Sequence, residues 1–234
     1  MARTIADFHN HLGPIYVEID QDVTRVHAYW KLVTQLFGSQ ESVAILNNAA
    51  GFAIRAIQDC LIDSVILRIT KLTDPAQAQR GQFPNLSFEY LIGKLPYDAD
   101  AALRKRLRKQ LNIIRKSTDN FRLIRDKRLA HRDTAYAIDS DQILPGITRK
   151  SIDDPLQRIR DFMHEIQRYY EFEGTVYQMV ELGRDGDHLL FHLLCGKRFI
   201  ELHEDVQLGK LTKDDGFQRI QELPKREPNT RDGP

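Results

Sequence analysis

The chain has 234 residues, a net charge of +1, 41% hydrophobic and 29% charged residues, a composition that fits one globular core and excludes a disordered chain. The near-zero balance also excludes a protein that coats itself with nucleic acid through bulk charge, so any RNA contact must come from a local patch. No apolar run of the signal-peptide kind occurs in Met1-Ala2-Arg3-Thr4-Ile5-Ala6-Asp7, and the most apolar stretch, 43–72, is broken by Arg55, Asp59, Asp63 and Arg68. The expectation is a cytoplasmic protein without a membrane span.

Taken in order, residues 1–17 read as an N-terminal arm, 18–206 as a helical bundle and 207–234 as a partly disordered extension. His9 and His11 in the arm read as solvated side chains. Over 18–37, Val23, Val26, Trp30, Val33 and Leu36 recur every three to four residues, the mark of an amphipathic helix, with Gly38 as its C-cap. Ser39 or Ser42 caps the next helix, about 41–73, whose apolar residues occur nearly all round and place it in the middle of a bundle. On it Arg55, Asp59 and Asp63 are spaced four apart and form one polar seam, read as an internal salt-bridge network. Asp74-Pro75 stops that helix, 76–86 is a loop, and a short helix runs from Ser87 to Lys94.

A long helix then runs from about 98 or 100 toward His131, with a bend or restart at Ser117-Thr118-Asp119-Asn120. Its basic run Arg104-Lys105-Arg106-Arg108-Lys109 reads as a solvated face before it reads as a nucleic-acid patch. Residues 133–149, with Pro145-Gly146, read as a loop or irregular hairpin. The fourth long helix covers 151–180, with Asp153-Asp154-Pro155 as its first turn and Ile152, Leu156, Ile159, Phe162 and Ile166 on one side. A further helix over 185–206 carries His188 and His192, four apart but without a third ligand, so they read as surface or interface histidines. Cys60 and Cys195 lie inside helical patterns and read as buried free thiols. The fold class is all-α: an up-and-down four-helix bundle with an additional C-terminal helix.

The segment that this scaffold does not explain is Arg125-Asp126-Lys127-Arg128-Leu129-Ala130-His131-Arg132-Asp133, with four cations, two carboxylates and an imidazole in nine residues. On an ideal helix Arg125, Arg128 and Arg132 fall at i, i+3 and i+7 and make one cationic ridge, while Arg125 and His131 stand about 120° apart. Arginine matches phosphate geometry with its fork of donors, and histidine exchanges a proton near neutral pH. One reading is a structural network in which Arg125 and Arg128 pair with Asp59, Asp63 or Asp133. The other is a site for a phosphodiester.

The Arg-(five residues)-His pattern resembles the motif of HEPN domains. The whole phrase, following a helix that ends Arg68-Ile69-Thr70-Lys71-Leu72-Thr73-Asp74, is similar to AbiU-type abortive-infection proteins. The resemblance spans about residues 20–200 and implies an HEPN-like bundle that pairs into a homodimer with a composite site, acting on RNA in phage defence or as a toxin. It implies His131 as the proton-transferring group, Arg125 as stabiliser of phosphoryl charge and Asp126 as the residue that positions Arg125. Lys127, Arg128 and Arg132 would hold the RNA backbone, and Asp59 or Asp63 would orient the cations. The chemistry is internal transesterification, for which no metal or other cofactor is expected. A non-catalytic HEPN-like dimerisation or regulatory module binding a partner protein or nucleotide is the alternative. So is a toxin paired with an antitoxin, although Asp133 stands where paired families carry a modifiable tyrosine.

Overall fold

The computed structural model describes residues 12–77, 83–95, 101–130, 133–138, 143–171, 174–177 and 183–221. Among these, every regular element is helical and none is a strand. None of the described helices is long and apolar enough to cross a membrane. The expectations for His9, His11, His131, Arg132 and the tail 224–234 lie outside the described residues.

Helix α1 (Gly13–Phe37) starts a turn and a half before the periodicity of its apolar residues becomes legible. Pro14 sits in its first turn, where a missing N–H is no loss. At the other end Gly38 is required: a Cβ there would lie 2.1 Å from the Thr34 carbonyl oxygen. Ser39 then caps helix α2 (Gln40–Thr73), its Oγ accepting from the Ser42 N–H at 3.0 Å. Next come α3 (Phe88–Lys94), capped by Ser87, α4 (Ala101–Ser117) and α5 (Asp119–Ile124). A π-helical turn (Arg125–Leu129), α6 (Thr134–Ile138), α7 (Arg149–Tyr170), α8 (Gly186–Gln207) and α9 (Lys213–Gln221) complete the order.

The chain divides into two compact units, Met1–Val33 with Ala56–Leu182, and Thr34–Arg55 with Gly183–Pro234. The first holds the four-helix bundle and its core. Leu103, Leu107, Leu111 and Ile114 of α4 are buried, as are Ile152, Leu156, Ile159, Met163 and Ile166 of α7, each at three-to-four spacing. Phe88 of α3 packs on Phe162 at 4.4 Å between ring centroids. Arg68 of α2 reaches Asp22 of α1 at 2.8 Å, and Trp30 of α1 donates to Asp153 of α7 at 2.6 Å. A buried polar cluster joins them: Gln167 donates to Tyr16 Oη at 2.9 Å, and Tyr177 donates to Asp20. In the second unit, Gln35 donates to Asp185 at 2.7 Å and ties the end of α1 to the N-cap of α8.

Several expectations need correction. Only the C-terminal half of α2 joins the bundle core, with Val65, Ile66, Ile69 and Leu72 buried, whereas in the first half Leu46 is buried but Phe52 is 92% exposed and Arg55 and Asp59 are exposed too. Its helical backbone is interrupted at Ala50 (φ −166°, ψ 64°). The first half looked apolar because it is rich in alanine, which favours helix without demanding burial. The Arg55–Asp59–Asp63 seam is therefore not an internal network. Cys60 is exposed and Cys195 only partly buried, for the same reason that their helices present open faces. Helix α7 begins two residues early because Thr148 and Ser151 form a reciprocal capping box, leaving Asp153 to serve Trp30. It ends at Tyr170, ten residues short of expectation, where Glu171 takes the left-handed conformation (φ 54°). The stretch read as a loop contains α6.

Candidate active site

The geometry of the cationic segment begins at the end of α2. The last carbonyls of a helix lack intrahelical partners and carry the negative end of its dipole, so cations are favoured there. Three arginines meet this demand. Arg115 Nε donates to Thr73 O at 2.8 Å and its Nη2 to Asp74 O at 3.2 Å. Arg122 Nη2 donates to Thr73 Oγ1 at 2.7 Å, while Thr73 Oγ1 itself donates to Ile69 O at 2.9 Å. Arg125 Nη1 reaches both Asp74 carboxylate oxygens at 2.8 Å.

Position and charge agree with this arrangement. Burial works against the charge on Arg125, but its hydrogen bonds to Asp126 and Asp74 outweigh it and lift its pKa above the ordinary arginine value. At Arg122 burial wins over the attraction of Asp74 and Asp119, and the pKa falls. Glu89, which also takes Arg115 at 3.1 Å, is pushed up by burial, yet its bonds from Arg115 and the Ala76 N–H win and hold it below the usual carboxylate value.

The chain does not continue as an α-helix past this clamp. Ser117 Oγ and Thr118 Oγ1 both bond back to Ile114 O, at 2.8 and 3.0 Å, and α4 stops there. Thr118 is the N-cap of α5 but makes no side-chain capping bond. From Arg125 the bonding shifts to the wider π pattern, with Ala130 N–H donating to Arg125 O at 2.7 Å. Such turns recur at functional sites because they re-aim side chains that an α-helix would hold apart. Residue 130 thus closes a turn on Arg125, and His131 follows it in sequence.

The expected ridge does not form as drawn. Arg125 goes to Asp74, whereas Arg128 pairs with Asp63. Those two carboxylates are eleven residues apart on or just past α2, about 16 Å of helix rise. The opposed pulls of these partners, with the π turn between, separate the two guanidinia. Asp126 does sit on Arg125, accepting from Nε at 2.8 Å. Lys127 bonds to Asp133 at 2.7 Å and lies over the Tyr136 ring at 5.6 Å. Of the acidic pair on α2, Asp63 holds Arg128, and Asp59 is exposed. Arg125 Nη2 donates to no described residue.

Sequence reasoning missed Asp74, Thr73, Arg115 and Arg122. A signal was present: Arg115, Thr118, Arg122 and Arg125 recur at three-to-four spacing and share one helical stripe. Asp74 was legible only as a helix stop before Pro75. Within the basic run of α4, Arg104 donates to Leu95 O at 2.9 Å and Arg106 pairs with Glu165, while Lys105, Arg108 and Lys109 are exposed. His188 lies 3.6 Å from Asp185, and no group of three metal-ligating side chains occurs among the described residues.

No curated protein and no solved structure matches the chain. The family model of the AbiU2 HEPN domain matches residues 10–189. That span contains the bundle, the arginine clamp and the whole of the 125–133 segment, and the chain belongs to the AbiU2 family of HEPN domains.

Proposed function

We propose that this protein is a metal-independent endoribonuclease of the HEPN type, acting in the cytoplasm in phage defence or as a toxin. The observation that supports the reading is Arg125. Its guanidinium is fixed by Asp74 and Asp126 at the start of a π turn, Nη2 is uncommitted among the described residues, and His131 follows in sequence one residue past that turn's closing bond. A pre-oriented donor fork stabilises charge as it develops on phosphoryl oxygens without reorganising during the reaction. In this reading His131 removes the proton from a ribose 2′-hydroxyl, the oxygen attacks the adjacent phosphorus, and the P–O5′ bond breaks as a proton reaches the leaving oxygen. The products are a 2′,3′-cyclic phosphate and a 5′-hydroxyl. A single histidine does not serve both ends easily, so a second copy related by a two-fold supplies the other His131. Lys127, Arg128 and Arg132 hold the flanking backbone, with Arg128 and Lys127 exchanging their carboxylate partners for phosphate. An antitoxin or a phage-derived trigger would set when it cuts.

The carboxylate clamp also favours a second reading, in which Arg125 is a structural tie and the chain is a non-catalytic dimerising or regulatory module. The deciding experiment is RNA cleavage by the purified protein in EDTA, beside His131→Ala and Arg125→Lys, with folding checked by circular dichroism and the new RNA ends typed. Cleavage by wild type only, leaving 2′,3′-cyclic phosphate, is the expected result. Intact RNA, or equal cutting by folded variants, defeats the nuclease reading and leaves the module.

A further inference from the structure

Helix α4 carries seven cations and no carboxylate in its 17 residues, in a chain that balances 34 cations with 33 acids overall. Three of the seven are spent within the fold: Arg104 on the Leu95 carbonyl, Arg106 on Glu165, and Arg115 on the end of α2 and Glu89. Lys105, Arg108, Lys109 and Lys116 are exposed, and none of them forms an ion pair among the described residues. Glu89, whose carboxylate feels the charge of Arg108, is already taken by Arg115 and the Ala76 N–H. The four exposed cations lie within about 100° of one another on the helix, with Asn112 among them and the buried Leu103, Leu107, Leu111 and Ile114 on the opposite side. A face that is merely solvated mixes both signs. Like charges three and four residues apart, here Lys105 with Arg108 and Lys109, destabilise a helix, and a bound polyanion removes that cost.

We propose that this stripe is an RNA-binding track that leads a strand to Arg125. Lys105, Lys109, Asn112 and Lys116 follow one another at four, three and four residues, in steps of about 5–6 Å over about 17 Å of helix. That is the scale on which phosphates recur along a single strand, and ammonium groups on long stems meet them without a fixed geometry. The track ends at the clamp. Arg115, next to Lys116, donates to the Thr73 and Asp74 carbonyls, and the Asp74 carboxylate holds Arg125. Arg122 ties the same corner, donating from Nη1 to Arg115 O at 2.9 Å. A membrane surface fits less well: α4 spends its leucines on the core and offers only Ile113, 39% exposed at the edge of the stripe, for insertion. The choice of RNA as the polyanion rests on the nuclease reading through this continuity, but binding is measured without cleavage.

The test uses the full chain and a fluorescein-labelled 2′-O-methyl oligoribonucleotide longer than about 16 nucleotides, which lacks the attacking hydroxyl and is not cut by transesterification. Fluorescence anisotropy over a salt series gives Kd and its salt slope. Each single-strand phosphate contact adds about −0.7 to the slope of log K against log salt, or about fivefold in affinity at roughly 0.1 M salt. Lys105→Gln, Lys109→Gln and Lys116→Gln are each expected to lose about that much, and the triple variant on the order of a hundredfold with a slope flatter by about 2. Circular dichroism is expected to show unchanged helicity. Lys197→Gln, which removes the same charge from α8, is expected to bind as wild type does. A wild type that does not bind the oligonucleotide overturns the proposal. So does a triple variant that binds as tightly as wild type, or a Lys197→Gln that loses as much as Lys109→Gln, which reduces the binding to bulk charge. Loss of phosphatidylserine-vesicle or polyglutamate binding in the triple variant, with RNA binding retained, also overturns it and gives the stripe another partner. Lysine-dependent binding in a protein that cleaves no RNA upholds the track and defeats only the nuclease reading.

Discussion

Replacing Asp74 by asparagine keeps the shape of the α2 terminus and removes one charge from the clamp. Both partners are mostly covered, with side chains 22% (Arg125) and 23% (Asp74) exposed, and two contacts of 2.8 Å link them. A fully exposed pair contributes about 0.2–1 kcal/mol, and a buried hydrogen bond to a charged group about 1.5–3 kcal/mol. This pair falls between, so Asp74→Asn is expected to destabilise the fold by about 1–2 kcal/mol. Arg115 and Arg122 sharpen the effect, since their charges then face Arg125 without the carboxylate. The assay is a urea double-mutant cycle of Asp74→Asn with Arg125→Gln, where a coupling of at least about 1 kcal/mol is expected. A coupling below about 0.3 kcal/mol would show that the contact is incidental and refute the idea that Asp74 orients Arg125. If the nuclease reading holds, the same Asp74→Asn lowers kcat by tenfold or more while leaving KM within a few-fold, because misaligned Arg125 fails in the transition state rather than in RNA binding.

Two other outcomes follow from the scaffold. His27 is buried, bonds through Nδ1 to Val23 O at 2.8 Å, and burial lowers its pKa from 6.5 to about 4. Between those values the unfolded chain binds a proton that the folded chain refuses, so stability rises with pH there, is complete above about 6.5 and falls away toward 4. The shift corresponds to ~3 kcal/mol. Urea unfolding at pH 7.5 and 4.5 should show that loss in wild type and much less of it in His27→Gln; equal losses would remove His27 as the cause. Thr148→Ala deletes one arm of the α7 capping box and should cost about 1 kcal/mol in thermal unfolding, with a change inside ±0.3 kcal/mol counting against the cap.

The helices were legible where apolar spacing and punctuation agreed. The helix start at Ser87, Gly38 as a stop and the 152–166 stripe of α7 are local signals with local causes, and each appears in the fold. Composition misled where a residue has two meanings. Alanine raised the apolar count of α2 without committing its first half to the bundle core, and Asp153-Asp154-Pro155 resembled a helix start although Thr148 and Ser151 had already made one. Helix ends set by reciprocal side-chain bonds depend on pairs of polar residues, and hydrophobic periodicity carries no trace of them.

The site shows the same limit on a longer range. Arg125 and Asp126 were found because they are adjacent, and adjacency is visible in a sequence. Asp74 was not, since its bond to Arg125 joins residues 51 apart. What makes that bond possible is the break at Thr118, the stripe of Arg115, Arg122 and Arg125, and the carbonyls at the end of α2 that Arg115 takes up. The phrase ending Thr73-Asp74 and the phrase starting at Arg125 are therefore two halves of one contact rather than two separate marks. A chain that kept Arg125 and His131 but lost Asp74 would keep the motif's spelling and lose what aims its arginine.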